Sequence, residues 1–98
     1  MAGTYDIGDF YNLIEELNDS EEYYLIEQAD KIEGYIIQFE ANIIPEQLCR
    51  SYIQDIRDLI ELDNIRGKIE NKALAQKAMY GITKLLMKGI AAAIKMGV

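Results

Sequence analysis

Lys68–Val98, KIENKALAQKAMYGITKLLMKGIAAAIKMGV, is the stretch whose reading decides the fold. It contains no proline, and Ala75, Ala78, Ile82, Leu85, Gly89, Ala92 and Met96 follow one another at spacings of three and four. That is the period of an apolar seam along one side of an α-helix. Small residues line the seam and let a second backbone approach closely. Ala78, Ile82, Leu85, Gly89, Ala92 and Met96 are therefore the candidate packing residues, within one chain or between copies. Taken alone, GITKLLMKGIAAAIKMGV also reads as a membrane-surface helix, because Lys84, Lys88 and Lys95 share a face. Its glycines and alanines offer little side chain to a lipid, and helix packing is the preferred use.

Working upstream, Gly67 is a natural left-handed cap after Asn64-Ile65-Arg66 and separates this helix from the one before. That third helix, about 45–63, places Cys49, Ile53, Ile56 and Ile60 on one stripe. Ile44-Pro45 forces the boundary at its start, since the residue before proline is pushed out of helical geometry. The second helix, 20–43, carries the longest seam: Leu25, Ala29, Ile32, Ile36, Phe39 and Ile43. Gly34 sits inside it, either for close helix approach or as a hinge. Asp19 with Glu22 resembles a capping box that restarts the chain after Asn18-Asp19-Ser20. The first helix, 6–18, is capped by Thr4 or Asp6 and repeats Ile7, Phe10, Ile14 and Leu17. No alternating stretch or hairpin turn signals a strand. The expected fold is all-α: one domain over 1–98, an antiparallel bundle of three or four helices at 6–18, 20–43, 45–63 and 69–97. Its expected core is Ile14, Leu17, Leu25, Ala29, Ile32, Ile36, Phe39, Ile53, Ile56, Ile60, Ala78, Ile82, Leu85 and Ala92.

Charge is distributed very unevenly. Residues 1–65 hold sixteen acids against Lys31, Arg50 and Arg57, a net −13, whereas residues 66–98 hold seven bases against Glu70, a net +6; the chain totals −7. Such a split favours packing the basic segment on the acidic one, within a chain or in a homo-oligomer, and leaves an acidic outer surface that repels nucleic acid. Direct nucleic-acid binding is not expected. No apolar run approaches the roughly 20 residues of a membrane span, so membrane association is not expected either. The start of the chain lacks a secretory pattern, and the expected location is cytoplasmic (the host cytoplasm for a phage-encoded protein).

The absence of histidine excludes Ser-His-Asp and Cys-His catalysis within the chain, and a single cysteine leaves no zinc, haem or iron–sulfur ligand set. The seven glycines are scattered singly and build no phosphate-cradling loop. Cys49, on an apolar stripe, reads as a buried structural cysteine. One enzymatic pattern remains: Glu15, Glu16, Asp19, Glu27 and Asp30 spell EExxD…ExxD. This resembles the all-α nucleotide pyrophosphatases of the MazG type, and the resemblance implies magnesium held by these five carboxylates. The gap between the two motifs is shorter than in that family, and the break at 18–20 splits the first. A solvated acidic face is the competing explanation.

Seven tyrosines without tryptophan suit an interface, because tyrosine covers apolar area while keeping a hydroxyl for hydrogen bonding. Tyr23-Tyr24 beside Glu21-Glu22 forms, with Glu27 and Tyr11, the candidate partner-binding patch. The alternative is that Tyr24 serves the core and Tyr23 is half-exposed. The expectation is a non-enzymatic acidic protein, without cofactor or catalytic residue, that covers a basic surface on a protein partner. Small phage or mobile-element inhibitors of host defence systems have this general character. A structural oligomerisation module is the first alternative, and the magnesium-dependent pyrophosphatase the second.

Overall fold

The computed structural model describes residues 5–96, with Met96 as backbone only. Five helices follow one another: α1 Ile7–Asn18, α2 Tyr23–Glu40, α3 Glu46–Ile65, α4 Lys72–Lys88 and α5 Ile90–Met96. The described residues are helices and connecting turns, without a strand. Among the described residues the helices thus number five where three or four were expected, because the C-terminal seam is interrupted.

Local chemistry explains each boundary. Asp6 opens α1 with a reciprocal box: its carboxylate accepts from the Asp9 N–H (2.9 Å), and the Asp9 carboxylate accepts from the Asp6 N–H (3.0 Å). Thr4, the other candidate cap, lies outside the described residues. The expected capping box from Asp19 does not form. Ser20 Oγ instead donates to the Leu17 carbonyl (2.6 Å) and accepts from the Glu22 N–H (3.2 Å), while Glu21 adopts a left-handed φ of +63°. Positions 19–22 are therefore a true turn, and α2 begins at Tyr23 rather than at Ser20.

α2 also ends three residues earlier than its apolar pattern suggests. The Ile43 N–H donates to the Gln38 carbonyl (2.8 Å) and the Asn42 N–H to the Phe39 carbonyl (3.0 Å), with Asn42 at φ +61°. This is a Schellman termination with asparagine in the left-handed position. Ile43 consequently leaves the seam and is exposed. α3 ends in the same way: Lys68 and Gly67 donate to the Asp63 and Asn64 carbonyls (2.9 and 3.2 Å), with Gly67 at φ +78°. Helices three and four are thus separate.

The largest correction is at Gly89. Its φ of +93° stops α4 after Lys88, and α5 restarts at Ile90. The break advances the buried face by one position, so Ile90 and Ala93 are fully enclosed while Ala92 faces solvent. A Cβ at Gly89 would meet nothing closer than Glu46 Oε2 at 3.8 Å, so this glycine serves the backbone turn and not a tight helix contact. The close approach is at Gly81, where a Cβ would run into Leu13 Cδ2 and lie 3.2 Å from the Tyr5 hydroxyl. Gly34 has open space around it and α2 runs through it unbroken, so close approach within the chain does not account for it.

The four long helices pack in a ring, α1 on α2, α2 on α3, α3 on α4 and α4 on α1, with α5 against α4, α1 and α3. Neighbours run antiparallel: Tyr35 near the end of α2 packs its ring on Tyr52 near the start of α3 (4.7 Å), and Lys77 early in α4 bonds Glu16 late in α1 (2.8 Å). α2 and α4 consequently occupy opposite corners. Twelve expected core residues lie inside the ring (Ile14, Leu17, Leu25, Ala29, Ile32, Ile36, Ile53, Ile56, Ile60, Ala78, Ile82 and Leu85), while Phe39 is only half-buried and Ala92 is exposed. Ile69 and Leu86 join the core from positions the seam did not mark.

Two acids tie the ends of distant helices to this frame. Glu22 Oε1 accepts from the Asn71 N–H at the start of α4 (2.7 Å), and Glu46 Oε2 accepts from the Ala91 N–H in the first turn of α5 (2.8 Å). Both place a carboxylate where a helix has free N–H groups and a partial positive charge. With Lys77–Glu16, they show how part of the upstream acid meets the basic segment within one chain.

Candidate functional site

The turn at 19–22 fixes Tyr23 as the first residue of α2 and leaves its ring 79% exposed. Leu25, Ala29, Ile32 and Ile36 turn inward. The helical period then sends Tyr23, Glu27, Asp30, Gly34 and Ile37 to the opposite side. Ile37 is 57% exposed, and Glu27 and Asp30 are exposed between it and Tyr23. α2 therefore carries an outward stripe with an apolar group at each end and two carboxylates between. Glu27 reaches Lys31 at 3.6 Å, an exposed pair of the kind worth little in water.

The expected patch is only partly assembled. Glu21, Tyr23 and Glu27 are exposed near one another at the start of α2. Glu22 is engaged with the backbone N–H of Asn71, the N-cap residue of α4. Tyr24 is half-buried and its hydroxyl is enclosed beside the Asp63 carboxylate. Burial first, and then the neighbouring Asp63 carboxylate, raise the Tyr24 pKa well above the ordinary tyrosine value. Tyr11 does not join the patch. It packs against the core, and burial followed by Glu40 and Glu33 raise its pKa, which places it toward the far end of α2.

Around Tyr24 the sequence hid a buried polar group. Gln28 and Asp63 are 3% and 4% exposed, and Lys68 Nζ approaches Asp63 at 3.8 Å. The Gln28 Oε1 atom is enclosed without a partner, as is the Asn64 Oδ1 atom at the next position of α3. Both acid and amide fall on inward positions that apolar spacing alone does not score, so only three-dimensional packing reveals them.

The five carboxylates of the pyrophosphatase-like pattern are not gathered. Glu16 pairs with Lys77, Glu27 with Lys31, and Glu15, Asp19 and Asp30 are exposed. Among the described residues no group of three or more His, Cys, Asp or Glu side chains is arranged to hold a metal ion. Cys49 is fully enclosed; its thiol donates to the Tyr35 carbonyl (3.5 Å), and burial followed by Glu46 pushes its pKa up to about 11. The thiolate that a nucleophile requires is thereby disfavoured.

Of the candidate packing residues, Ala78, Ile82 and Leu85 are spent inside the chain, Gly89 forms the break, Ala92 is exposed, and the Met96 side chain lies outside the described residues. Of Ile82, Leu85, Leu86, Ile90 and Ile94, which a membrane-surface helix would present to lipid, the first four are buried here and Ile94 is partly buried. Among the described residues no helix is long and apolar enough to cross a membrane. The outward side of α4 is different: Tyr80 is 64% and Met87 81% exposed, with Lys84 Nζ 5.2 Å above the Tyr80 ring. Beside it a shallow groove of about 430 Å³ runs between α3 and α4, lined by Arg57, Asn64, Ile65 and Tyr80 among others. The Arg57 guanidinium is already engaged, donating to Thr83 Oγ1 (2.8 Å), Glu61 (2.8 Å) and Asp58 (3.3 Å). These exposed stripes were accessible to sequence reasoning, since each is the complement of a seam already recognised. Compared with protein-family models, curated proteins and solved structures, the chain matches none.

Proposed function

We propose that the chain is a non-enzymatic binding protein that presents the outer face of α2, with the turn before it, to a basic surface on a protein partner. The observation that carries this is the exposed Tyr23 aligned with Glu27 and Asp30 on one helix face, with Glu21 beside it. A tyrosine ring supplies contact area at little entropic cost, and flanking carboxylates steer and orient a cationic partner. The role that fits is an inhibitor or regulator acting in the cytoplasm by occupying its partner's surface. Homo-oligomer formation by the split-charge chain belongs to the same proposal.

Affinity capture followed by mass spectrometry tests it, with three baits: wild type, Tyr23→Ala/Glu27→Lys, and Asp55→Lys as a control at an exposed acid on another helix. A protein with a basic surface retained by wild type and the control, but lost from the double variant, supports the reading. Equal retention by all three overturns the assigned face. Recovery of the chain alone favours a structural module. Magnesium-dependent hydrolysis of nucleoside triphosphates that Glu15→Gln with Glu27→Gln abolishes would replace the proposal with an enzyme.

A further inference from the structure

We propose that the outward stripe of α4 docks on the outward stripe of α2 of a second copy of this chain, so that copies associate head to tail. The two stripes match in length. Tyr23 to Ile37 and Ala73 to Met87 each span the same number of residues, about 21 Å at 1.5 Å per residue. They also match in charge, since Glu27 and Asp30 face outward on α2 while Lys84 lies over Tyr80 on α4. Laid antiparallel, Tyr23 meets Met87, Glu27 meets Lys84, and Ile37 meets Ala73. Gly34 adds room in the middle: a side chain there would meet nothing within 4 Å inside its own chain, so the α2 surface is low where the partner helix crosses.

Electrostatics selects this pairing over the symmetric ones. α4 against α4 would bring Lys84 toward its own copy, and α2 against α2 would do the same with Glu27 and Asp30. Only the unlike pairing opposes charges of opposite sign. Because α2 and α4 stand at opposite corners of the ring, docking one leaves the other free, and the contact propagates instead of closing as a two-fold dimer. One helix stripe on another makes a small contact, so association is weak and rises with concentration. Exposed charges are screened beyond about 8 Å at physiological ionic strength, so it also weakens with salt. The contact shares α2 with the partner-binding reading but requires no outside partner, and the two can fail separately.

Sedimentation velocity of the full chain over a concentration series at low and high salt tests this. The expected result is a mass that grows past a dimer with concentration at low salt and returns to a single chain at high salt. Glu27→Lys and Lys84→Glu should each hold the chain as a monomer, and the variant carrying both reversals should assemble again. Gly34→Leu guards against misfolding: it should keep full helical circular dichroism, melt no lower than wild type, and remain monomeric. A wild-type mass of one chain at every concentration overturns the proposal. So does an oligomer that survives high salt and both reversals, or a double reversal that fails to reassemble.

Discussion

Gly34 and Gly89 both lie in helical sequence, and a side chain at the two positions has opposite consequences. At Gly34 the backbone is regular helix and the surrounding space is open, so only helix propensity acts. Gly34→Ala should raise stability by about 1 kcal/mol. At Gly89 the backbone stands at φ +93°, where a side chain is strained whatever the space around it. Gly89→Ala should therefore lower stability by roughly 1–3 kcal/mol, despite the better helix former. Thermal melts of the two variants check both signs together. A raised melting temperature for Gly89→Ala would mean that α4 and α5 prefer to be one continuous helix. Spacing alone marked Gly89 as a packing residue because an apolar period scores side chains and is blind to φ.

Among the elements, α5 depends most on a contact from elsewhere. It has seven residues, too few to hold helical structure alone, and is fixed by the buried Ile90 and Ala93 and by the Glu46 carboxylate on the Ala91 N–H. Glu46→Ala removes that cap at a cost of roughly 1 kcal/mol, the usual size for a lost helix cap. Amides of α5 should then exchange faster by hydrogen–deuterium exchange while those in the middle of α3 keep their protection. Unchanged exchange in α5 would mean that Ile90 and Ala93 suffice. The elements differ in how far the sequence reveals them. The seams at Leu25–Ile36 and Cys49–Ile60 were legible because each turn repeats an apolar residue, and Gly67 because left-handed caps favour glycine. Asn42 closes α2 by the same geometry but is a rarer cap, and Ile43 behind it extended the apolar pattern misleadingly. The contacts of Glu22 and Glu46 with other helices join residues more than forty positions apart, beyond any local pattern. The candidate patch was half legible for the same reason: Tyr23 and Glu27 follow from helical phase, whereas the uses of Glu22, Tyr24 and Tyr11 depend on which helix lies beside them.

For the molecule as a whole, the half-buried tyrosines and the buried cysteine set an alkaline limit. Burial, then Asp9 and Asp6, push Tyr5 up to about 12, and burial raises Tyr24, Tyr11 and Cys49 as well. Each of these groups is held in its neutral, protonated form by the fold. Their stabilising contribution is complete below the unfolded values of 9.0 for the thiol and 10.0 for the phenols, and is lost as pH rises toward the folded values. Denaturant midpoints should hold steady up to about pH 9 and fall progressively beyond it; a flat profile through about pH 11 would mean that these groups reach solvent.

Charge acts at the same scale. Pairs such as Lys77–Glu16 draw part of the basic segment onto the acidic one within the chain, while Tyr23, Glu27 and Asp30 stay exposed on α2 and Tyr80 and Met87 on α4. Those two faces are the surfaces assigned to recognition, and an amide chemical-shift map of the isotopically labelled chain, recorded as its own concentration rises at low salt, tests them most directly. Shift changes confined to the solvent-facing positions of Tyr23–Ile37 and Ala73–Met87, and lost in Glu27→Lys, are expected. Changes centred on α1 or on the turn between α2 and α3, or a spectrum that does not move, would contradict the assignment.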